Sequence, residues 1–105
     1  SSLHFDWLIE LADSEVYCCT GASGRTADVF EEAKKHNRKT VMFVASDDAA
    51  ARKQVAELAT ELGFDAVEVG ELATARLLEP FALLWISMAY RYGLGRDFGF
   101  AIVKR

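Results

Sequence analysis

A chain of 105 residues has room for one domain around one core, and 51% apolar residues with 27% charged ones exclude a disordered tail. A net charge of −4 argues against a nucleic-acid backbone as partner, because such binders carry a basic excess on one face. The basic residues gather only at Lys34, Lys35, His36, Arg38 and Lys39, which reads as a solvated helix end whose cations complement the dipole.

From Leu3 to Leu11, apolar residues fall at Phe5, Leu8, Ile9 and Ala12, with Leu3, Trp7 and Leu11 as a second stripe. This spacing predicts a helix capped by Ser1 or Ser2 and ended by Asp13 and Ser14. No basic region precedes it, so no signal peptide is expected. Glu15 to Cys19 predicts a short buried strand that sends Cys18 and Cys19 to opposite faces. A disulfide between chain neighbours closes a strained ring, so two reduced thiols and a cytoplasmic protein are expected. His4 and His36 have no partner at ligand spacing, so no metal site is expected. Thr20 to Gly24 is a turn of small residues. Thr26 can cap a helix from Ala27 to about His36, with Val29, Phe30 and Ala33 inward and Asn37 as terminator.

Thr40 to Ala45 is the clearest strand, almost uniformly apolar as in a parallel strand covered on both faces. Ser46 or Asp47 caps the next helix, with Asp47 and Asp48 at its positive end. Val55, Leu58, Ala59 and Leu62 form its inner face, and Gly63 ends it. Phe64 to Val69 is a third strand, broken by Gly70. Leu72 to about Tyr92 reads as a long helix with Leu77, Phe81, Leu84, Trp85 and Met88 at three-to-four spacing. Pro80 should kink it, having no N–H for the Arg76 carbonyl. Gly93-Leu94-Gly95 ends it, and Asp97 to Val103 alternates as a last strand. The longest apolar stretch, Phe81 to Tyr90, is shorter than the ~20 residues a membrane crossing needs, so no membrane segment is expected. The alternation predicts a single α/β domain over residues 1–105. Its sheet should be mainly parallel and Rossmann-like, with about four strands and helices on both faces. A long kinked C-terminal helix and a last strand free to run antiparallel complete it.

Two segments point to chemistry. The first is the turn Thr20-Gly21-Ala22-Ser23-Gly24-Arg25-Thr26-Ala27 between a strand and a helix. Backbone N–H groups of a glycine-rich turn, backed by a helix N-terminus, suit a phosphate. Thr20, Gly21, Ser23, Gly24 and Arg25 are the candidate contacts, and the spacing resembles the fingerprint of short-chain dehydrogenases. Asp47 or Asp48, about 20 residues on, would then meet a ribose hydroxyl. The alternative is a strand-to-helix connection that simply needs small residues.

The second segment is Gly70-Glu71-Leu72-Ala73-Thr74-Ala75-Arg76-Leu77-Leu78-Glu79-Pro80, then Leu83-Leu84-Trp85-Ile86 and Tyr90 to Phe100. With Met42-Phe43-Val44-Ala45-Ser46-Asp47-Asp48 before it, this stretch resembles the C-terminal part of the NADP-dependent, deazaflavin (coenzyme F-420) reductase-like oxidoreductases. Ser46 stands where that pattern has glycine, and Arg52 where it has lysine. The resemblance covers residues 38–105; Tyr17-Cys18-Cys19-Thr20-Gly21 departs from the family's FNTTG, the segment that lies near the nicotinamide there. It implies hydride transfer between NADP and a flavin or deazaflavin, in a part or a short form of such an enzyme. The family's GxGxxG Rossmann half does not precede residue 1, so either the chain is a fragment or the turn at Thr20 to Ala27 substitutes as nucleotide site. Arg76 is a candidate contact to an anionic ligand, or a partner for Glu79 one turn on. No Ser/His/Asp or Cys/His set is visible, and no catalytic residue is assigned; hydride chemistry belongs to the cofactor.

Phe81 to Ile86 is apolar on every side and needs cover all round. The expectation is a homodimer through residues 77–92, and a non-catalytic oligomerisation or interaction module is the alternative to an enzyme.

Overall fold

The computed structural model describes residues 6–11, 13–20, 26–95 and 98–105. Strand β1 (Asp6–Leu11) and strand β2 (Ser14–Thr20) form an antiparallel hairpin in which Leu11 pairs with Ser14. Helix α1 (Thr26–Lys35) follows, then β3 (Val41–Ser46), α2 (Ala49–Glu61) and β4 (Asp65–Glu68). A 3-10 turn (Leu72–Thr74) leads into α3 (Ala75–Ile86), and a π-helical turn (Ser87–Arg91) continues it.

The four strands lie in the order β1-β2-β3-β4. β2 pairs antiparallel with both β1 and β3, and only β3 and β4 run parallel. The α/β class therefore holds, but the mainly parallel sheet does not. Cys19 of β2 lies opposite Phe43 and Thr20 opposite Met42, so the chain leaves β2 and enters β3 at the same end of the sheet. A ten-residue helix placed between such points turns the chain around without crossing a face. β3–α2–β4 is the one parallel crossover, and its ladder continues past the strands through Asp65 N–H to Thr40 O and Ser46 N–H to Gly70 O.

β2 and β3 are the inner strands, and alternation sends their residues to two cores. On one face Val16, Cys18, Met42 and Val44 pack against Ala51, Val55, Ala56 and Ala59 of α2, with Phe64. On the other, Tyr17, Cys19 and Phe43 meet Leu78, Ala82, Trp85 and Ala89 of α3 and its π turn. Helices thus cover both faces, and the adjacent thiols do point to opposite sides. Both are free and buried.

The expected N-terminal helix is replaced by β1. Nine residues are too few for the helical period to outweigh pairing with the apolar β2, and Asp13 at φ 68 closes the hairpin in the left-handed region that Asp tolerates. Over its described residues, 98–103, the expected last strand forms no strand. β2 and β4 already flank β3, which leaves the Val41 N–H, just beyond the end of β2, to donate to Phe100 O. Phe98 and Phe100 pack on α3 instead: Phe98 stacks on Trp85 at 4.8 Å, and Phe100 lies 5.1 Å from Phe81.

α2 turns Ala51, Val55, Ala56 and Ala59 to the sheet, while Leu58 and Leu62, expected inward, are exposed. Of the stripe expected to be buried on α3, Leu77 (74% exposed) and Leu84 (51%) face outward, and Leu78, Ala82 and Trp85 are buried in their place. The helical run Leu72–Arg91 is continuous past Pro80 and, at 20 residues, is long and apolar enough by length and composition to cross a membrane. The helix expected over Leu72 to about Tyr92 is therefore present; its uninterrupted apolar stretch is shorter because Arg76 and Glu79 break the apolar run. Asn37, at φ 57, ends α1 as expected, and Gly93 and Gly95, at φ 83 and 77, stop the π turn.

Candidate functional site

Both ends of β3 carry polar groups, and they differ in sign. At its carboxyl end an open cleft is lined by Asp13, Ser14, Glu15, Ser46, Asp47, Asp48 and Leu72. Parallel crossovers place loops and helix N-termini here, which is where α/β sheets usually take ligands. In this chain the carboxylates are occupied by the backbone. Asp48, not Ser46 or Asp47, is the N-cap of α2: its Oδ1 accepts from Ala50 N–H at 3.0 Å and Ala51 N–H at 3.2 Å, and its Oδ2 accepts from the Ser14 hydroxyl at 2.6 Å. The Ser14 hydroxyl, then the Ala51 N–H, hold its carboxyl below the usual range. Asp47 Oδ1 accepts from Leu72 N–H at 3.0 Å at the start of the 3-10 turn. The ribose contact expected of Asp47 or Asp48 thus competes with two helix starts.

Ser46, fully buried, donates to Glu15 O at 2.6 Å and accepts from Asp48 N–H at 3.2 Å. Arg52 closes the same end. Its Nη1 donates to Ser46 O (2.9 Å) and Gly70 O (3.2 Å), and its Nε to Glu68 Oε1 (3.0 Å). One planar guanidinium ties β3, β4 and the loop after β4 together, which a lysine's point donor could not do with the same geometry. Arg52 stood out in the sequence only as a departure from the resembling pattern, and Ser46 only as that and as a candidate helix cap.

Of the expected phosphate contacts, Thr20 is described. It is buried and its hydroxyl donates to Val41 O at 2.8 Å. Gly21, Ser23, Gly24 and Arg25 lie outside the described residues, as does the side chain of Thr26. Arg76 is exposed on α3, and among the described residues neither it nor Glu79 makes an ion pair. The structure does not bring Arg76 to the carboxylate cleft.

The thiols offer no nucleophile. Burial pushes Cys18 up to about 11, and Cys19 Sγ lies 3.7 Å from Leu78 O. Among the described residues no group of three or more His, Cys, Asp or Glu side chains could hold a metal ion.

At the amino end of β3 the cations collect. Lys34, Arg38, Lys39 and Lys104 line one cleft with the single carboxylate Asp65. Lys104 comes from the C-terminal segment, a neighbour that the run at residues 34–39 gave no sign of.

Comparison with protein-family models, with curated proteins and with solved structures finds no match to this chain. Fold and site therefore define a class, a mixed-sheet α/β protein with an acidic, internally bonded carboxyl end and a basic amino end.

Proposed function

We propose that the chain is a part or short form of an NADP-dependent oxidoreductase, moving hydride between the nicotinamide and a flavin or deazaflavin. One observation carries this reading: the stretch that resembles those enzymes, residues 38–105, coincides with the parallel unit β3–α2–β4 and the long helix docked beside it. The resembling residues have matching work in the fold. Asp47 and Asp48 start helices, Arg52 braces two strands, and Trp85 anchors α3. The acidic carboxyl-end cleft does not fit a diphosphate, because Asp13, Glu15, Asp47 and Asp48 would repel it. Among the described residues, a nucleotide's anionic part fits the basic end better than the acidic one. Titration of NADPH, and separately of a flavin or deazaflavin, into the full chain tests the reading; no saturable binding of either removes it.

A second reading, an interaction module that pairs as a homodimer through residues 77–92, is favoured by α3. Leu77, Leu83, Leu84 and Tyr90 are all more than half exposed on one docked helix, and Phe81 and Met88 are partly exposed between them. Monomers rarely expose apolar patches beyond roughly a few hundred Å². A second copy of the same helix presents the same uncharged stripe and satisfies both at once. Sedimentation equilibrium at micromolar concentration should give a dimer that Leu77→Lys with Leu84→Lys converts to a folded monomer. A wild-type monomer would end this reading.

A further inference from the structure

We propose that the groove between α1 and the C-terminal segment, at the amino end of β3, is a binding site for a small phosphorylated aromatic molecule such as a mononucleotide. It has two lobes that share Ala33, Arg38 and Thr40. The first holds Lys34, Lys39 and Lys104 over the apolar wall of Leu62 and Ile102. The second is mostly apolar, floored by Val29, Phe98 and Phe100. The lobes measure about 570 and 490 Å³, within the roughly 300–1,000 Å³ range of small-molecule sites.

The charge is uneven in a way the whole chain is not. The protein carries −4, yet this lobe sets four cations against Asp65. Lys34 pairs with Glu31 at 3.2 Å, and Arg38 Nη1 donates to Asn37 O at 3.2 Å. Lys39 and Lys104 have no carboxylate within 4.0 Å among the described residues. Complementing the end of α1 does not consume them. The Ala33 carbonyl accepts from the His36 and Arg38 N–H groups, and the Lys34 carbonyl from the Asn37 N–H. The end of α2 is closed in the same manner by Leu62, Gly63 and Phe64. What remains is positive charge beside an aromatic floor, with Arg38 lining both lobes. A phosphate among the lysines and a flat ring on Phe98 and Phe100 use both parts. β2 also leaves the sheet at this end, after Thr20.

Isothermal titration of the full chain at low salt with AMP, adenosine, inorganic diphosphate and NADPH tests the site. AMP should bind saturably, at least ~10-fold tighter than adenosine or diphosphate, and weaken as salt is added. Lys39→Gln with Lys104→Gln should lose about 10-fold in AMP affinity with an unchanged melting temperature, and the paired Arg substitutions should keep it. AMP binding no better than that of adenosine or diphosphate, or unaltered in the Gln variant, overturns the proposal. The outcome separates from the oxidoreductase reading. AMP binding with neither NADPH nor a flavin or deazaflavin bound keeps the groove and removes the reductase, whereas NADPH binding with AMP no tighter than adenosine does the reverse.

Discussion

Trp85→Ala should come close to unfolding the protein. Trp85 is fully buried, stacks on Phe98 with rings 18° apart, and donates its Nε1–H to Phe98 O at 3.3 Å. It therefore holds α3 to the sheet and the C-terminal segment to α3. Removing a buried Trp side chain costs about 3–5 kcal/mol. A chain of 105 residues has on the order of 5–15 kcal/mol to lose. At about 4–8 °C per kcal/mol, the melting temperature should fall by roughly 12–40 °C. Thermal melts followed by far-UV circular dichroism measure it without relying on the lost fluorophore. A double-mutant cycle with Phe98→Ala isolates the stacking, with an expected coupling of about 0.5–1.5 kcal/mol. A fall under about 5 °C, or no coupling to Phe98, would refute the docking of the C-terminal segment on α3.

Three further outcomes follow from single sites. Pro80→Ala should raise the melting temperature, by up to about 3 kcal/mol equivalent, because it restores an N–H to the Arg76 carbonyl inside an exposed part of α3. Asp48→Ala should lower stability at neutral pH by removing the α2 cap. Because Asp48 has its native pKa held down, its contribution is present above about pH 4 and lost as pH falls through the native value, so variant and wild type should converge in acid. Cys18, raised to about 11 by burial, should resist thiol reagents at pH 8 until denaturant is added. Its raised pKa also adds stability that is whole below about pH 8.5 and lost as pH climbs through about 11, a loss that Cys18→Ala should abolish.

The parts of the fold legible in the sequence are those with one strong local cause. Val41–Ala45 is uniformly apolar because β3 is an inner strand covered on both faces, and Asn37 and Gly63 ended their helices where left-handed backbone was needed. Strand direction was not legible. Alternating strands and helices suit a parallel sheet only if each helix crosses a face, and α1 does not. The inner face of α3 was also misread, since Leu77 and Leu84 look better suited to a core than Ala82 and Ala89. The small residues are inside because they let the helix approach Tyr17 and Cys19 around the one large anchor, Trp85. At the site, Lys34 to Lys39 showed as a charge run, but its apolar floor and Lys104 arrive from the other end of the chain.

The division of charge along β3 argues for where a ligand can act. At the carboxyl end, Asp48 and Asp47 are spent on helix starts and Arg52 on carbonyls, so a ligand there must displace bonds the fold needs. At the amino end, Lys39 and Lys104 serve no such bond among the described residues, and neutralising them should leave the fold intact. Stability and binding are therefore separable by mutation. Substitutions at Asp47, Asp48 or Arg52 should lower melting temperature first, whereas substitutions at Lys39 and Lys104 should lower anion affinity alone. An anion site whose removal destabilised the protein as much as Asp48→Ala does would show that the cations are structural and that this division of labour is wrong.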